Sequence, residues 1–124
     1  MKCALLIEDD PIVARLTRVL LARAGYETVW AETGRQAIDA LSERRFPVIF
    51  VDLGLPDIDG SGVVIWLRHF EKERSHARAA VFVISANEVR ASRALDVDGV
   101  LQKPLRMPAL EQALQRTGSV EVNP

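Results

Sequence analysis

Glu8, Asp9 and Asp10 stand in a row directly behind the apolar run Ala4-Leu5-Leu6-Ile7. Asp52 closes a second apolar run at 47–52, Ser85 a third at 80–85, and Lys103 a fourth at 99–103. Lysine is scarce here, three against 13 arginines, so one at such a place stands out. Carboxylates crowded into one site repel, and they stay ionised together only if a cation neutralises them. Oxygen donors without His or Cys suit Mg²⁺, which keeps several waters and takes few protein carboxylates. A lysine opposite such a metal, with a hydroxyl between them, suits an incoming phosphoryl group. The two cations would neutralise its oxygens and the hydroxyl would donate a hydrogen bond. A carboxylate already at the metal is then the expected nucleophile, giving an acyl phosphate.

This chemistry requires the four runs to end at one place, which depends on the elements between them. Residues 2–8 read as a buried strand. Residues 11–24 form a helix with Ile12, Leu16, Val19 and Leu20 on its inner face; Asp10 caps it, Pro11 suits its first position and Gly25 stops it. A short strand covers 27–31. Thr33 and Gln36 have capping-box spacing and open a helix with Ala37, Ile38 and Leu41 inward. After the strand 47–52, residues 53–60 are dense in turn formers. A helix runs from Ser61 to about Glu73 with Val63, Trp66, Leu67 and Phe70 inward. The strand 80–85 leads to a short, weakly patterned helix over 87–95, then the strand 99–103 and a last helix from Pro108 carrying Leu110 and Leu114.

Alternating strands and helices imply an α/β fold with a parallel sheet and right-handed crossovers. The strands are continuous apolar runs, as expected when helices cover both faces. In such sheets ligands bind beyond the carboxyl ends of the strands, which is where Glu8, Asp9, Asp52, Ser85 and Lys103 fall. Each also has a structural explanation alone. Asp9 or Asp10 could be a helix cap, Asp52 a turn opener, Ser85 a cap, and Lys103 a snorkelling surface residue. Together those explanations require coincidences at four strand ends. His69, His76, Trp30, Trp66 and Cys3 read as packing or surface residues, and the mixed-charge run Arg68 to Arg78 as a solvated helix end and loop.

The chain's 124 residues suit one domain. One cysteine excludes an intrachain disulfide framework and a four-cysteine zinc site. No apolar run approaches the ~20 residues of a membrane span, and residues 4–7 are too short for a signal-peptide core. A net charge of −1 gives no basic field toward nucleic acid or an anionic membrane. The cytoplasm is the expected compartment. Residues 1–116 read as the domain, and 117–124 as a polar tail or the start of a linker.

The motifs Leu-Leu-Ile-Glu-Asp-Asp-Pro at 5–11, Val-Asp-Leu-Gly-Leu-Pro-Asp-Ile-Asp-Gly at 51–60, Val-Ile-Ser-Ala at 83–86 and Lys-Pro-Leu at 103–105 resemble the receiver domain of bacterial two-component response regulators. The resemblance spans about residues 2–116. It implies a flavodoxin-like five-stranded sheet of order 2-1-3-4-5 with helices on both faces. It also implies a phosphoryl-accepting signalling switch rather than a classical enzyme, one that promotes its own phosphorylation and dephosphorylation. The resemblance places the phospho-acceptor on Asp52, the acidic metal pair on Glu8 and Asp9, and the backbone carbonyl ligand on Gly54. The hydroxyl falls on Ser85 and the phosphoryl-binding lysine on Lys103. Mg²⁺ would be the cofactor, and the Lys103–Pro104 bond would be cis. The donor would be phospho-His on a histidine kinase or phosphotransfer protein, with output through another protein or domain.

Two features depart from the family pattern. Val100 stands where receivers commonly carry Tyr or Phe. Only 13 residues, 86–98, link Ser85 to Gly99, near the dozen or so that a parallel crossover needs, so the fourth helix is expected to be short. These departures leave open a second function, a protein-interaction module that works without phosphorylation. A haloacid-dehalogenase phosphatase is disfavoured because it needs Asp-x-Asp and a cap domain. A flavodoxin-like flavin binder is disfavoured because three acids would repel the flavin phosphate.

Overall fold

The computed structural model describes residues 2–86 and 95–117. In chain order the elements are β1 (Lys2–Ile7), α1 (Pro11–Arg23), β2 (Tyr26–Ala31), α2 (Gly34–Glu43), β3 (Val48–Asp52), α3 (Gly60–Arg74), β4 (Ala80–Ser85), β5 (Gly99–Gln102) and α4 (Met107–Arg116). The helix read over 87–95 lies outside the described residues, apart from Leu95. All neighbouring strands pair in parallel in the order β2-β1-β3-β4-β5. The order therefore reverses between β1 and β3, and their carboxyl ends flank a crevice of the kind that holds ligands in open α/β sheets.

Strand alternation divides the core into two layers. Ala4, Leu6, Val48, Phe50, Phe82 and Ile84 pack under α1 and α4. Leu5, Ile7, Ile49, Val51, Val81 and Val83 pack under α2 and α3. Val100 is half-buried against the α2/α3 layer, as is Cys3, which lies less deep than a core residue.

Local signals explain most boundaries. Asp10 caps α1 by accepting from the Ile12 and Val13 N–H groups, with Pro11 at the first helical position. Gly25 ends the segment at φ +92°, a conformation that costs glycine little. Thr33 accepts from Gln36 N–H, and the Gln36 side chain accepts from Glu32 N–H. The Lys103–Pro104 bond is cis.

Three expectations need correction. The inner face of α1 is Ala14, Thr17, Leu20 and Leu21; Ile12, Leu16 and Val19 point outward, 79%, 46% and 46% exposed. Small residues let the helix approach the sheet, and the Thr17 hydroxyl is satisfied by donating to the Val13 carbonyl at 2.8 Å. Strand β5 ends at Gln102, so Lys103 stands just beyond it. The run Arg68 to Arg78 is not merely solvated. Glu71 is buried and accepts from Arg68 Nη1 at 3.0 Å and Ala79 N–H at 2.7 Å. Arg78 binds Asp96 and Asp98 at 2.8 and 2.9 Å, and Asp98 also accepts from Val81 N–H. This network fastens α3 and the segment before β5 to the amino end of β4.

Candidate functional site

At the carboxyl edge of the sheet, the backbone of Glu8 extends β1 by one residue, its N–H donating to the Ala31 carbonyl at 3.0 Å. Its side chain turns inward and is fully buried. Asp9 follows, exposed to solvent. Asp52 ends the central strand β3 with a side chain 14% exposed. Glu8, Asp9 and Asp52 each present a carboxylate oxygen within 4.8 Å of the others. Asp10 is not in this cluster; it is the α1 cap.

Lys103 closes the cluster from just beyond the end of β5. Its Nζ lies 3.3 Å from Asp52 Oδ2 and 3.4 Å from Glu8 Oε1. Its N–H donates to the Ser85 carbonyl at 3.0 Å, so the two residues read from strands four and five are joined through the backbone. Ser85 is half-buried at the end of β4. Gly54 lies in the loop beyond Asp52, and its N–H donates to Asp52 Oδ1 at 3.1 Å. The structure thus brings Glu8, Asp9, Asp52 and Lys103 together, with Ser85 and Gly54 on adjoining segments.

The electrostatics follow from burial. Desolvation pushes the Glu8 carboxyl up to about 7; the Asp10 N–H opposes this, nearby Asp52 adds to it and Lys103 pulls it back. Lys103 is partly desolvated too, but attraction to Glu8 and Asp52 outweighs that and holds its pKa above the ordinary value. One ammonium against three carboxylates leaves the site short of positive charge. Glu8 Oε1 is buried and accepts no hydrogen bond, though it faces the Lys103 ammonium. An oxygen-only donor set with a buried oxygen in this state fits a small hard dication such as Mg²⁺.

Two site-supporting residues escaped the sequence reading. Asp57 accepts from Gly34 and Arg35 N–H at 2.8 and 3.0 Å, pinning the β3–α3 loop to the start of α2. The Gly34 bond leads in holding its carboxyl below the usual range. No local pattern marks this contact; only a surplus acid in the loop 53–60 hints at it. Trp30, read as packing, donates its Nε1–H to the Glu8 carbonyl at 2.8 Å. A tryptophan late in a short strand that leads toward the acids was the available signal.

The model of the response regulator receiver domain matches residues 4–115. The polar-differentiation response regulator DivK of Brucella anthropi is 28% identical over 116 residues, covering 92% of this chain and 94% of DivK. The response regulator TrrA of Thermotoga maritima, solved in complex with Mg²⁺-BeF, is 23% identical with a TM-score of 0.82, covering 94% of this chain and 99% of that one. The receiver domain of Saccharomyces cerevisiae Ssk1, solved with the histidine phosphotransfer protein Ypd1, is 21% identical with a TM-score of 0.87, covering 97% of this chain and 90% of that one. Among the described residues, no helix is long and apolar enough to cross a membrane.

Proposed function

Since the chain belongs to the response regulator receiver domains, a family of phosphoryl-accepting signalling switches, we propose that Asp52 is the residue that takes the phosphoryl group. The observation that carries this reading is the placement of Asp52. It ends the central strand, with Lys103 Nζ 3.3 Å from one oxygen and the Glu8 and Asp9 carboxylates within 4.8 Å. Glu8, Asp9, Asp52 and the Gly54 carbonyl would hold Mg²⁺, which when bound supplies positive charge to the phosphoryl oxygens. An Asp52 oxygen forms a bond to phosphorus as the phosphorus–nitrogen bond of a phospho-His donor breaks, its electron pair returning to the imidazole. Lys103 draws one phosphoryl oxygen and the Ser85 hydroxyl donates to another, so the chain promotes its own phosphorylation. The same site would later admit water and promote dephosphorylation.

Helix α1 offers the donor a place to sit. Ile12, Leu16 and Val19 form an exposed apolar stripe along Pro11–Arg23. Arg15, Arg18 and Arg23 are also exposed on this helix, which contains no acid. The stripe begins two residues beyond the Asp10 cap, next to the acid turn. A helical histidine phosphotransfer protein, or the equivalent part of a histidine kinase, with an apolar face and acidic rim would bind here and present its phospho-His to Asp52. Leu16→Glu tests this. Transfer from a phosphotransfer protein should fall at least tenfold, while labelling by a small acyl phosphate stays unchanged. Equal loss with both donors would contradict docking on α1.

A further inference from the structure

Trp30 occupies an odd position for a packing residue. It is the penultimate residue of the edge strand β2 and packs half-buried against the α1/α4 layer. The indole reaches along the sheet edge and donates Nε1–H to the Glu8 carbonyl at 2.8 Å. On its other side the Arg18 guanidinium of α1 sits 5.9 Å from the ring centre, within cation–π range.

The carbonyl it holds matters. The Glu8 carbonyl and the Asp9 N–H belong to one rigid peptide unit. The orientation of that unit sets how the Asp9 side chain leaves the turn relative to Glu8. The Glu8 N–H is fixed by the Ala31 carbonyl at 3.0 Å, and Glu8 Oε2 accepts from Asp10 N–H at 3.2 Å. With the indole bond, both backbone groups of Glu8 are held. Asp9 itself is exposed, so its aim depends on this backbone.

We propose that Trp30 is a positioning residue for the acid turn, holding the peptide between Glu8 and Asp9 in the orientation that brings their carboxylates to one ion. This rests on the reading that Glu8 and Asp9 hold Mg²⁺. A packed indole N–H also seeks an acceptor; what marks a clamp is that the ion site weakens when the donor is lost. Trp30→Phe separates these, because phenylalanine keeps an aromatic ring and removes the N–H.

The test titrates Mg²⁺ alone into the protein by calorimetry, with thermal unfolding measured in parallel. Trp30→Phe should weaken Mg²⁺ binding about 3–10-fold, the equivalent of one net hydrogen bond. Equal affinity in Trp30→Phe and the natural chain, even with a lowered melting temperature, overturns the proposal and leaves the metal site standing. Absence of Mg²⁺ binding in the natural chain overturns the metal reading and this proposal together. If Trp30→Phe does not fold, Trp66→Phe leaves Trp30 as the sole tryptophan, because the chain has two. Its emission should then change with Mg²⁺ along a curve whose midpoint matches the calorimetric one. Flat emission across that range overturns the proposal.

Discussion

Lys103 Nζ rests 3.3 Å from Asp52 Oδ2 in the resting chain, so the proposed phosphoryl-binding cation is already drawn to the acceptor. Its side chain is 23% exposed, and its backbone is tied to the Ser85 carbonyl. A phosphoryl group on Asp52 would add negative charge at this point and should pull Lys103 with the end of β5. Val100 is β-branched and has few rotamers, so it cannot swing as a ring would. The response should therefore pass through backbone movement at 99–106. Beryllofluoride should change hydrogen exchange there in the natural chain and much less in Lys103→Met. An equal response in both would contradict a role for Lys103 in output. The coupling to partner binding is expected at ~1–3 kcal/mol.

Asp9 is the exposed member of the acidic cluster, so the fold does not depend on it. Asp9→Asn should leave stability within ~0.5 kcal/mol and raise the Mg²⁺ needed for half-maximal labelling at least tenfold. Chelation with EDTA should suppress labelling of the natural chain. Equal rates in EDTA and Mg²⁺ would remove the metal from the account.

Gly60 opens α3 where the chain passes against the end of β3. A Cβ there would overlap the Asp52 carbonyl oxygen and sit 2.7 Å from Leu53 Cα, both backbone atoms that cannot yield cheaply. Gly60→Ala should cost about 2–3 kcal/mol in urea unfolding, as overpacking does, and should slow labelling through displacement of Asp52. Natural stability in Gly60→Ala would show that the loop has slack.

Asp57 predicts an acid limb of stability. Its folded pKa lies below the ordinary 3.8, so its contribution is fully present above that value and fades as pH falls through the lower folded one. Melting temperature followed from neutral pH to below about pH 3 should drop less steeply in Asp57→Asn than in the natural chain. Asp57→Asn should still be labelled, because Asp57 lies in the α2 tether outside the acid cluster.

The βα alternation and the strand ends were legible because apolar runs bounded by turn residues encode them locally. The parallel sheet then brings Glu8, Asp9, Asp52 and Lys103 to one edge. The buried face of α1 was not legible. Two neighbouring stripes fit the helical period, and the one with Ile12, Leu16 and Val19 is more hydrophobic than the one with Ala14 and Thr17. Close approach to the sheet favours the smaller side chains. The charges between Arg68 and Arg78 were misread because Asp96 and Asp98, their partners, stand 18–28 residues away for the bonds they make. Trp30 and Asp57 act through similar distant contacts, 22 or 23 residues along the chain. No local pattern reports such pairings.

The most direct test of the central claim is intact mass after incubation with Mg²⁺ and a small acyl phosphate. The natural chain, Asp57→Asn and Asp59→Asn should each gain one phosphoryl group, and Asp52→Asn should gain none. A phosphoryl group on Asp52→Asn at the natural level would contradict the assignment. Its absence from the natural chain would favour an interaction module that works without phosphorylation.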